Sequence, residues 1–155
     1  MLSALLAGVT DEQMRWKPRA EDWSVLEVLR HLLDEEREDF GTRVFMTLAS
    51  PTESWPGIDP AGWPAARRYN EADPTATLAA LASAREESVK RLRALHSPDW
   101  SAAHRHPKFG PIRAGDLLAS WAAHDLLHLR QITKRLFEYH ALRSAPFETR
   151  YAGQW

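Results

Sequence analysis

The segment from Arg113 to His140 constrains the fold more than any other part of the chain, because its pattern fits one kind of secondary structure. It contains no proline and no glycine after Gly115, and its apolar residues recur every three or four positions. This spacing predicts a long amphipathic helix. No part of the sequence shows the strict alternation of apolar and polar residues that indicates a half-buried strand. We therefore expect an all-α fold.

Three further helical segments can be read from the sequence, and two of them have recognisable starts. Ser24, followed by Glu27, forms a capping box, and Asp73 precedes a proline suited to a first helical turn. The segments run from Met1 to about Ala7, from Ser24 to about Ser50, and from Pro74 to Leu95. Antiparallel helices connected by two long loops predict a four-helix bundle, with residues 1–155 as a single domain.

The first of these segments is short for a helix of such a bundle. A bundle that lacks part of one helix leaves an apolar groove exposed. We expect either that the chain begins downstream of its natural start or that a second subunit covers the groove, and we predict a homodimer.

Composition excludes several classes of function. The 155 residues carry a formal net charge of −1, which gives no basic excess for binding nucleic acid. No stretch approaches the ~18 apolar residues that a membrane helix needs, and the N-terminus lacks the pattern of a secretion signal. We therefore expect a cytoplasmic protein with no membrane contact. The sequence contains no cysteine, which excludes disulfides, cysteine-ligated zinc and a cysteine nucleophile. Any thiol in its chemistry must come from the substrate.

Two histidines in the long C-terminal helix are spaced as metal ligands. His124 and His128 are four residues apart, so on an α-helix they lie one above the other on the same face. Leu117, Trp121 and Ile132 share that stripe, which turns both imidazoles toward other helices. Two inward histidines without partners would be costly. The pair therefore favours a bound metal ion over two core histidines that only hydrogen-bond.

His31 is the best candidate for a third ligand, because it lies well inside the second helical segment. A site of three imidazoles from two helices leaves open positions for water or substrate. Asp34 and Glu35 follow His31 at three and four residues, where a carboxylate could orient the ring or bind the ion. Asp125, beside His124, is a further candidate for that role. The sequence assigns no residue to catalysis itself.

Several polar residues are interpreted as having no role in this site. Other acidic residues of the second helix fit a solvated face; these are Glu36, Glu38 and Asp39. Arg85, in the third helical segment, is assigned to a solvated face as well. His104 and His106 form an H-x-H pair in the second long loop, next to a proline and a lysine, and are interpreted as exposed loop residues.

The order and spacing of several motifs resemble the DinB/YfiT-like family of metal-binding four-helix bundles. The matching pieces cover nearly the whole chain: Trp16-Lys17-Pro18, Trp23-Ser24-Val25-Leu26-Glu27-Val28, His31-Leu32-Leu33-Asp34, Gly110-Pro111-Ile112 and His124-Asp125-Leu126-Leu127-His128-Leu129-Arg130-Gln131-Ile132. The resemblance implies an up-down-down-up bundle with a shortened first helix. It also implies that His31, His124 and His128 bind a divalent ion, usually nickel, zinc, manganese or iron.

The resemblance also implies a class of reaction. Relatives of this family with known activities use the metal to activate a low-molecular-weight thiol, so we expect an S-transferase-like enzyme acting on a small electrophilic substrate. A tris-histidine ion with open positions lowers the pKa of a bound thiol or water. A metal-dependent hydrolase is therefore one alternative, and a non-catalytic, metal-stabilised interaction bundle is another.

Two other hydrolase patterns fit less well. The stretch His124-Asp125-Leu126-Leu127-His128 parallels the H-E-x-x-H motif of zinc proteases, with Glu148 twenty residues downstream as a third ligand. The motif's glutamate is shortened to aspartate, however, and Pro146 interrupts the segment before Glu148. The HD phosphohydrolase pattern is excluded, because it needs a later aspartate and none follows Asp125.

Overall fold

Helices dominate the computed structural model, which describes residues 2–153 and 155. The α-helices are α1 (Leu2–Leu5), α2 (Asp11–Arg15), α3 (Val25–Asp34), α4 (Phe40–Ala49), α5 (Trp63–Ala66), α6 (Pro74–Arg93) and α7 (Ala114–Arg143). A π-helical segment, Glu35–Asp39, joins α3 to α4, and 3-10 turns cover Tyr69–Glu71 and Arg150–Ala152. The prediction of an all-α fold is confirmed.

The sequence signals place most helix starts correctly. The Ser24 hydroxyl accepts a hydrogen bond from the Glu27 amide at 3.1 Å, and the Glu27 carboxylate accepts one from the Ser24 amide at 2.8 Å. Asp73 caps α6 by accepting from the Ala76 amide at 2.6 Å. These bonds satisfy amides that a helix start otherwise leaves unpaired.

Helix ends and the first helix differ from the predictions. The first helix covers Leu2–Leu5, which is shorter than the predicted segment, and Met1 lies outside the described residues. Helix α6 ends at Arg93 and α7 continues to Arg143. None of the described helices is both long and apolar enough to cross a membrane.

The unit of α3, the π segment and α4 runs antiparallel to α7. Near the start of α3, the Trp23 carbonyl accepts a hydrogen bond from Arg135 at 2.8 Å. Beyond the end of α3, the Glu36 carboxylate accepts one from Trp121 at 3.0 Å. The residue nearer the start of α3 thus contacts the later part of α7, and the residue beyond the end of α3 contacts the earlier part of α7. The two units therefore run antiparallel.

The main core lies around α3, whose apolar side chains are almost all buried. They pack against residues of α6 and α7; the members at or below 6% exposure include Val25, Leu26, Val28, Leu29, Leu33, Leu81 and Ile132. Full burial of each large aliphatic side chain contributes about 1.5–3 kcal/mol. A second cluster, formed by Val44, Leu117 and Trp121, holds α4 against α7. The two clusters fix the axial position of α7 relative to α3.

The π segment lets α4 pack closely against α7. At Gly41 an added Cβ would lie 2.4 Å from the Glu36 carbonyl oxygen and 3.3 Å from Cη2 of Trp121. Glycine is therefore the residue that fits both the widened helical turn and the neighbouring indole. Such π segments occur often at functional sites, and this one begins four residues after His31.

The expectation that the chain contains no strand is wrong in one place. Strands β1 (Ala103–His106) and β2 (Gly110–Arg113) form an antiparallel hairpin in which His104 faces Ile112 and His106 faces Gly110. Each strand has four residues, and Pro111 interrupts the second, so no alternation is long enough to be recognised.

Candidate metal centre

Three imidazoles, one from α3 and two from α7, converge on one point. Nε2 of His124 lies 3.4 Å from Nε2 of His31 and 3.1 Å from Nε2 of His128. One nitrogen from each ring lies within 4.8 Å of the other two. The structure therefore brings together all three histidines predicted as ligands.

Local sequence explains this convergence. The capping box at Ser24 starts α3, and His31 then follows on the face that meets α7. The four-residue spacing of His124 and His128 places their ring centroids 4.4 Å apart on one face of α7. The antiparallel packing of the two helices brings the pair opposite His31.

Burial keeps these imidazoles neutral. Burial, together with the two neighbouring imidazoles, lowers the pKa of His31 to about 3. Burial and His128 lower the pKa of His124 to about 4. Burial also lowers the pKa of His128, against an opposing effect of its hydrogen bond to Gln131. A neutral imidazole has a free lone pair, which is the form that binds a metal ion.

Hydrogen bonding assigns the lone pair of one ligand and leaves two ring nitrogens without partners. Oε1 of Gln131 lies 2.8 Å from Nδ1 of His128, so Nδ1 of His128 donates and its Nε2 is free to bind. Nδ1 of His31 and Nδ1 of His124 are buried without a hydrogen-bond partner in the described part of the chain. Converging Nε2 lone pairs repel one another unless a proton or a cation lies between them. The donor set thus fits a late first-row divalent ion.

Two aromatic side chains flank the histidines. The Trp23 ring centroid is 4.8 Å from that of His31 and 6.4 Å from that of His128, to which it is nearly parallel. The Phe40 ring lies 5.0 Å from that of His124. His31 is buried, whereas His124 and His128 are half-buried, so the two ligands on α7 are the ones that solvent reaches.

Two of the predicted supporting carboxylates lie on α3 and at its end, in different surroundings. Oδ2 of Asp34 lies 2.6 Å from Nη1 of Arg67 and accepts a hydrogen bond from the Tyr69 hydroxyl at 2.5 Å, which places it in a separate polar cluster. Oε1 of Glu35 lies 3.8 Å from Nδ1 of His31, the ring nitrogen opposite the point of convergence. Burial, with a contribution from the neighbouring Asp39, raises the pKa of Glu35 to about 8. Glu35 therefore lies on the side of the His31 ring that faces away from the point where the three imidazoles converge.

Asp125 belongs to a network that the sequence did not reveal. Its Oδ2 lies 2.5 Å from Nη1 of Arg85, and Nη2 of Arg85 lies 2.7 Å from Oε2 of Glu36. Glu36 also accepts the Trp121 hydrogen bond. The interpretation of Glu36 as a member of a solvated face is wrong, because Glu36 is 3% exposed. The side chain of Arg85 is 39% exposed, and it connects Glu36 to the residue next to His124. Glu36 and Arg85 are 49 residues apart, so no local sequence pattern predicts that they pair.

Other acidic and histidine residues considered from the sequence lie outside the cluster. Asp39 is also buried, contrary to the expected solvated face, and pairs with Arg43 at 2.7 Å. Glu148 pairs with Arg150 at 2.7 Å near the C-terminus. Within residues 2–153 and 155, the candidate metal cluster contains His31 and its two partners on α7 and no carboxylate. This arrangement does not support the protease-type alternative.

Comparison with known proteins supports the fold and the family. The model of the DinB superfamily matches residues 1–132. A solved structure that resembles this one is that of YfiT from Bacillus subtilis, described as "a probable metal-dependent hydrolase with an unusual four-helix bundle topology". The two share 24% sequence identity with a TM-score of 0.69, and the match covers 87% of this chain and 79% of that one. No curated protein matches the sequence.

Proposed function

Since this chain belongs to the DinB superfamily, we propose that it is an enzyme that depends on a divalent metal ion held by His31, His124 and His128. The ion is nickel, zinc, manganese or iron, because three imidazoles accept most late first-row divalent ions. The substrate is a small electrophilic molecule. The nucleophile is a low-molecular-weight thiol or water.

The convergence of three neutral Nε2 atoms without a carboxylate in the cluster carries this proposal. A structural zinc site normally has four protein ligands, whereas catalytic sites keep a position open for water or substrate. Three ligands, two of them only half-buried, fit the second type. The proposal is therefore an enzyme rather than a metal-stabilised interaction bundle.

The residues around the site would have distinct roles in binding the ion and the substrate. When bound, a divalent ion lowers the pKa of a coordinated water or thiol and so supplies a nucleophile at neutral pH. The three imidazoles hold the ion. Trp23 and Phe40 limit the access of water to the ligand rings and offer an apolar surface to the substrate.

Two separate observations support the two nucleophiles. The description of YfiT as a probable metal-dependent hydrolase favours water. The resemblance to thiol-using relatives favours a thiol, and because this chain has no cysteine, that thiol would come from solution as a second substrate. The two reactions are distinguished by their products, since water yields a hydrolysed substrate and a thiol yields an S-conjugate.

The first experiment is elemental analysis of protein purified without an affinity tag or chelator, beside the His128→Ala variant. We expect near-stoichiometric divalent metal in the native chain and a large loss in the variant. His140→Ala is a matched control, because His140 lies exposed on the same helix. Retention of full metal content after substitution of each of the three ligands in turn would contradict the site.

Activity is tested on the metal-loaded protein. Ester and amide substrates are screened for hydrolysis, and monochlorobimane or a similar electrophile is screened with an added thiol for conjugate formation. We expect one of these activities to be lost in His128→Ala and retained in His140→Ala. Metal binding without either activity would support the interaction bundle instead.

The homodimer and the cytoplasmic location stay predictions. Sedimentation velocity at micromolar concentration tests the homodimer.

A further inference from the structure

A second site candidate lies between the hairpin and the loop that follows α4. The two segments enclose an open cavity of about 1140 Å³, which we name the loop–hairpin cavity. Its wall on the hairpin side is formed by residues 103–109, and its wall on the loop side by members of the segment 51–60. None of the three candidate metal ligands lines it.

A stack of three side chains forms one wall of the cavity. The His104 ring is stacked on that of Trp55, with centroids 4.1 Å apart, and the Arg43 guanidinium lies 4.9 Å from the Trp55 ring centroid. Nδ1 of His104 lies 3.1 Å from the Pro51 carbonyl oxygen, which only accepts, so this nitrogen donates. His104 is 9% exposed, so its interpretation as an exposed loop residue is wrong. Stacking and hydrogen bonding therefore hold the side chains of this wall in place.

The hydrogen bonds of His106 determine what its ring offers to the cavity. Nδ1 of His106 accepts from the backbone amides of Lys108 at 3.1 Å and Phe109 at 3.2 Å. Its lone pair is thus committed, and the ring proton lies on Nε2. His104 and His106 are two apart on a strand, so they share a face. His106 consequently presents an N–H donor on the same side as the stacked wall, and the H-x-H pair is unsuited to binding a metal ion.

The charged side chains that line the cavity are all basic. They are Arg43, Arg105 and Lys108, and no carboxylate lines it in the described part of the chain. Arg43 is paired with Asp39 at 2.7 Å, and Arg105 lies between His104 and His106 on β1, so its side chain leaves the opposite face of the strand. Lys108 is therefore the cation that a ligand beside His106 could meet. Phe109, 66% exposed, adds an apolar surface beside them.

We propose that the loop–hairpin cavity binds a small organic anion, a carboxylate or a phosphate monoester with an apolar group. The Nε2–H of His106 and the ammonium group of Lys108 would bind the anionic oxygens, since hydrogen bonds from charged donors to anions are the strong ones. Phe109 would contact the apolar group. The site is independent of the metal centre and of the function proposed for it.

The test is an NMR titration of the full-length protein with phenyl phosphate, benzoate and the neutral benzyl alcohol. Both anions share the proposed chemistry, and comparison of the two distinguishes phosphate from carboxylate. We expect at least one anion to bind about tenfold or more tightly than benzyl alcohol, as one charged hydrogen bond accounts for that ratio. The shifts should concentrate in residues 104–109 and at the Trp55 indole. Neither anion binding more tightly than benzyl alcohol would overturn the proposal.

Variants separate this site from general electrostatic attraction. The variant Lys108→Gln should weaken anion binding about tenfold or more, and His106→Asp should abolish it while keeping an acceptor for the two hairpin amides. Arg93→Gln, an exposed residue at the end of α6, is the charge-matched control and should have no effect. Equal affinity in all of these variants would contradict the assignment.

Anions can also bind to metal ions, so the titration is repeated with His128→Ala. The proposal predicts unchanged affinity and unchanged shifts at residues 104–109 in this variant. Loss of binding in His128→Ala would place the anion at the metal centre and overturn the cavity proposal. Metal content, measured on the same samples, reports separately on the proposed function.

Discussion

The indole N–H of Trp121 donates to Oε2 of Glu36 across 3.0 Å. Glu36 lies five residues after His31, and Trp121 lies three residues before His124. One hydrogen bond thus connects the two helical units that carry the candidate ligands, near the point where those ligands meet. Arg85 reinforces the connection, because it binds Glu36 and also Asp125 beside His124.

Replacement of Trp121 by phenylalanine should remove this hydrogen bond while keeping an aromatic ring in the core. Loss of a buried hydrogen bond to a carboxylate should lower the free energy of unfolding by about 1.5–3 kcal/mol, measured by urea denaturation. The affinity for metal should also fall, because His31 and His124 would be held less firmly relative to each other. Trp155→Phe, at a 53% exposed position, should change neither quantity. An effect of Trp121→Phe no larger than that of the control would show that the hydrogen bond does not position the ligands.

Gly41→Ala should destabilise the protein, although alanine is the better helix former. Its Cβ would lie 2.4 Å from the Glu36 carbonyl oxygen, so the π segment or α7 would have to move. Such overpacking costs about 1–3 kcal/mol, which exceeds the ~1 kcal/mol that alanine gains over glycine in a helix interior. Gly57→Ala, where the added Cβ meets nothing within 4 Å, is the matched control. A gain in the urea midpoint of Gly41→Ala would contradict the close packing described here.

In the metal-free protein, burial of His31 and His124 should make the folded state less stable as the pH falls below neutral, whereas the raised pKa of Glu35 acts in the opposite direction, because the folded state takes up that proton first. His31 and His124 have a pKa of about 3 and about 4 in the folded state, against about 6.5 for histidine in an unfolded chain. Between these values each of the two histidines binds a proton in the unfolded chain but not in the folded one, so its contribution to the free energy of unfolding decreases as the pH is lowered through that window. Urea denaturation from about pH 7 to about pH 5 measures the slope, and His31→Gln should reduce it. If the slope of His31→Gln were identical to that of the native chain, protonation of His31 would not be coupled to unfolding.

Addition of a divalent ion should stabilise the native chain by mass action. An ion present at about a hundredfold its Kd raises the free energy of unfolding by about 2.7 kcal/mol when the unfolded chain does not bind it. The gain should disappear in His124→Ala and persist in His140→Ala, as measured by denaturation with chelator or with added zinc or nickel. A similar gain in both variants would indicate ion binding elsewhere on the protein.

The parts of this structure that follow from the sequence are those governed by local patterns. The capping box at Ser24 and the spacing of His124 and His128 depend on interactions within one or two helical turns, where periodicity and capping chemistry act directly. His31 could be found because it lies on the apolar face of a well-defined helix. The assignment of all three as metal ligands stays a prediction.

The missed features depend on contacts between distant residues. Glu36 is separated from Arg85 by 49 residues, so nothing in the surrounding sequence distinguishes this buried pair from two exposed charges. The π segment requires one residue more per turn than the preceding α-helix, and its sequence of charged residues resembles an ordinary helix surface. His104 becomes buried because Trp55, from a different loop, stacks on it.

The π segment also acts as a phase shift along one continuous helical rod. In a regular α-helix each residue turns by ~100°, so an extra residue within a turn rotates everything that follows relative to what precedes it. His31 is located before this shift, whereas Phe40 and Arg43 come after it. If residues 35–39 formed regular α-helical turns instead, α4 would be rotated by about 100° relative to α3, and its side chains would point the wrong way. The local irregularity determines which side chains of α4 meet α7 and which of them reach the hairpin.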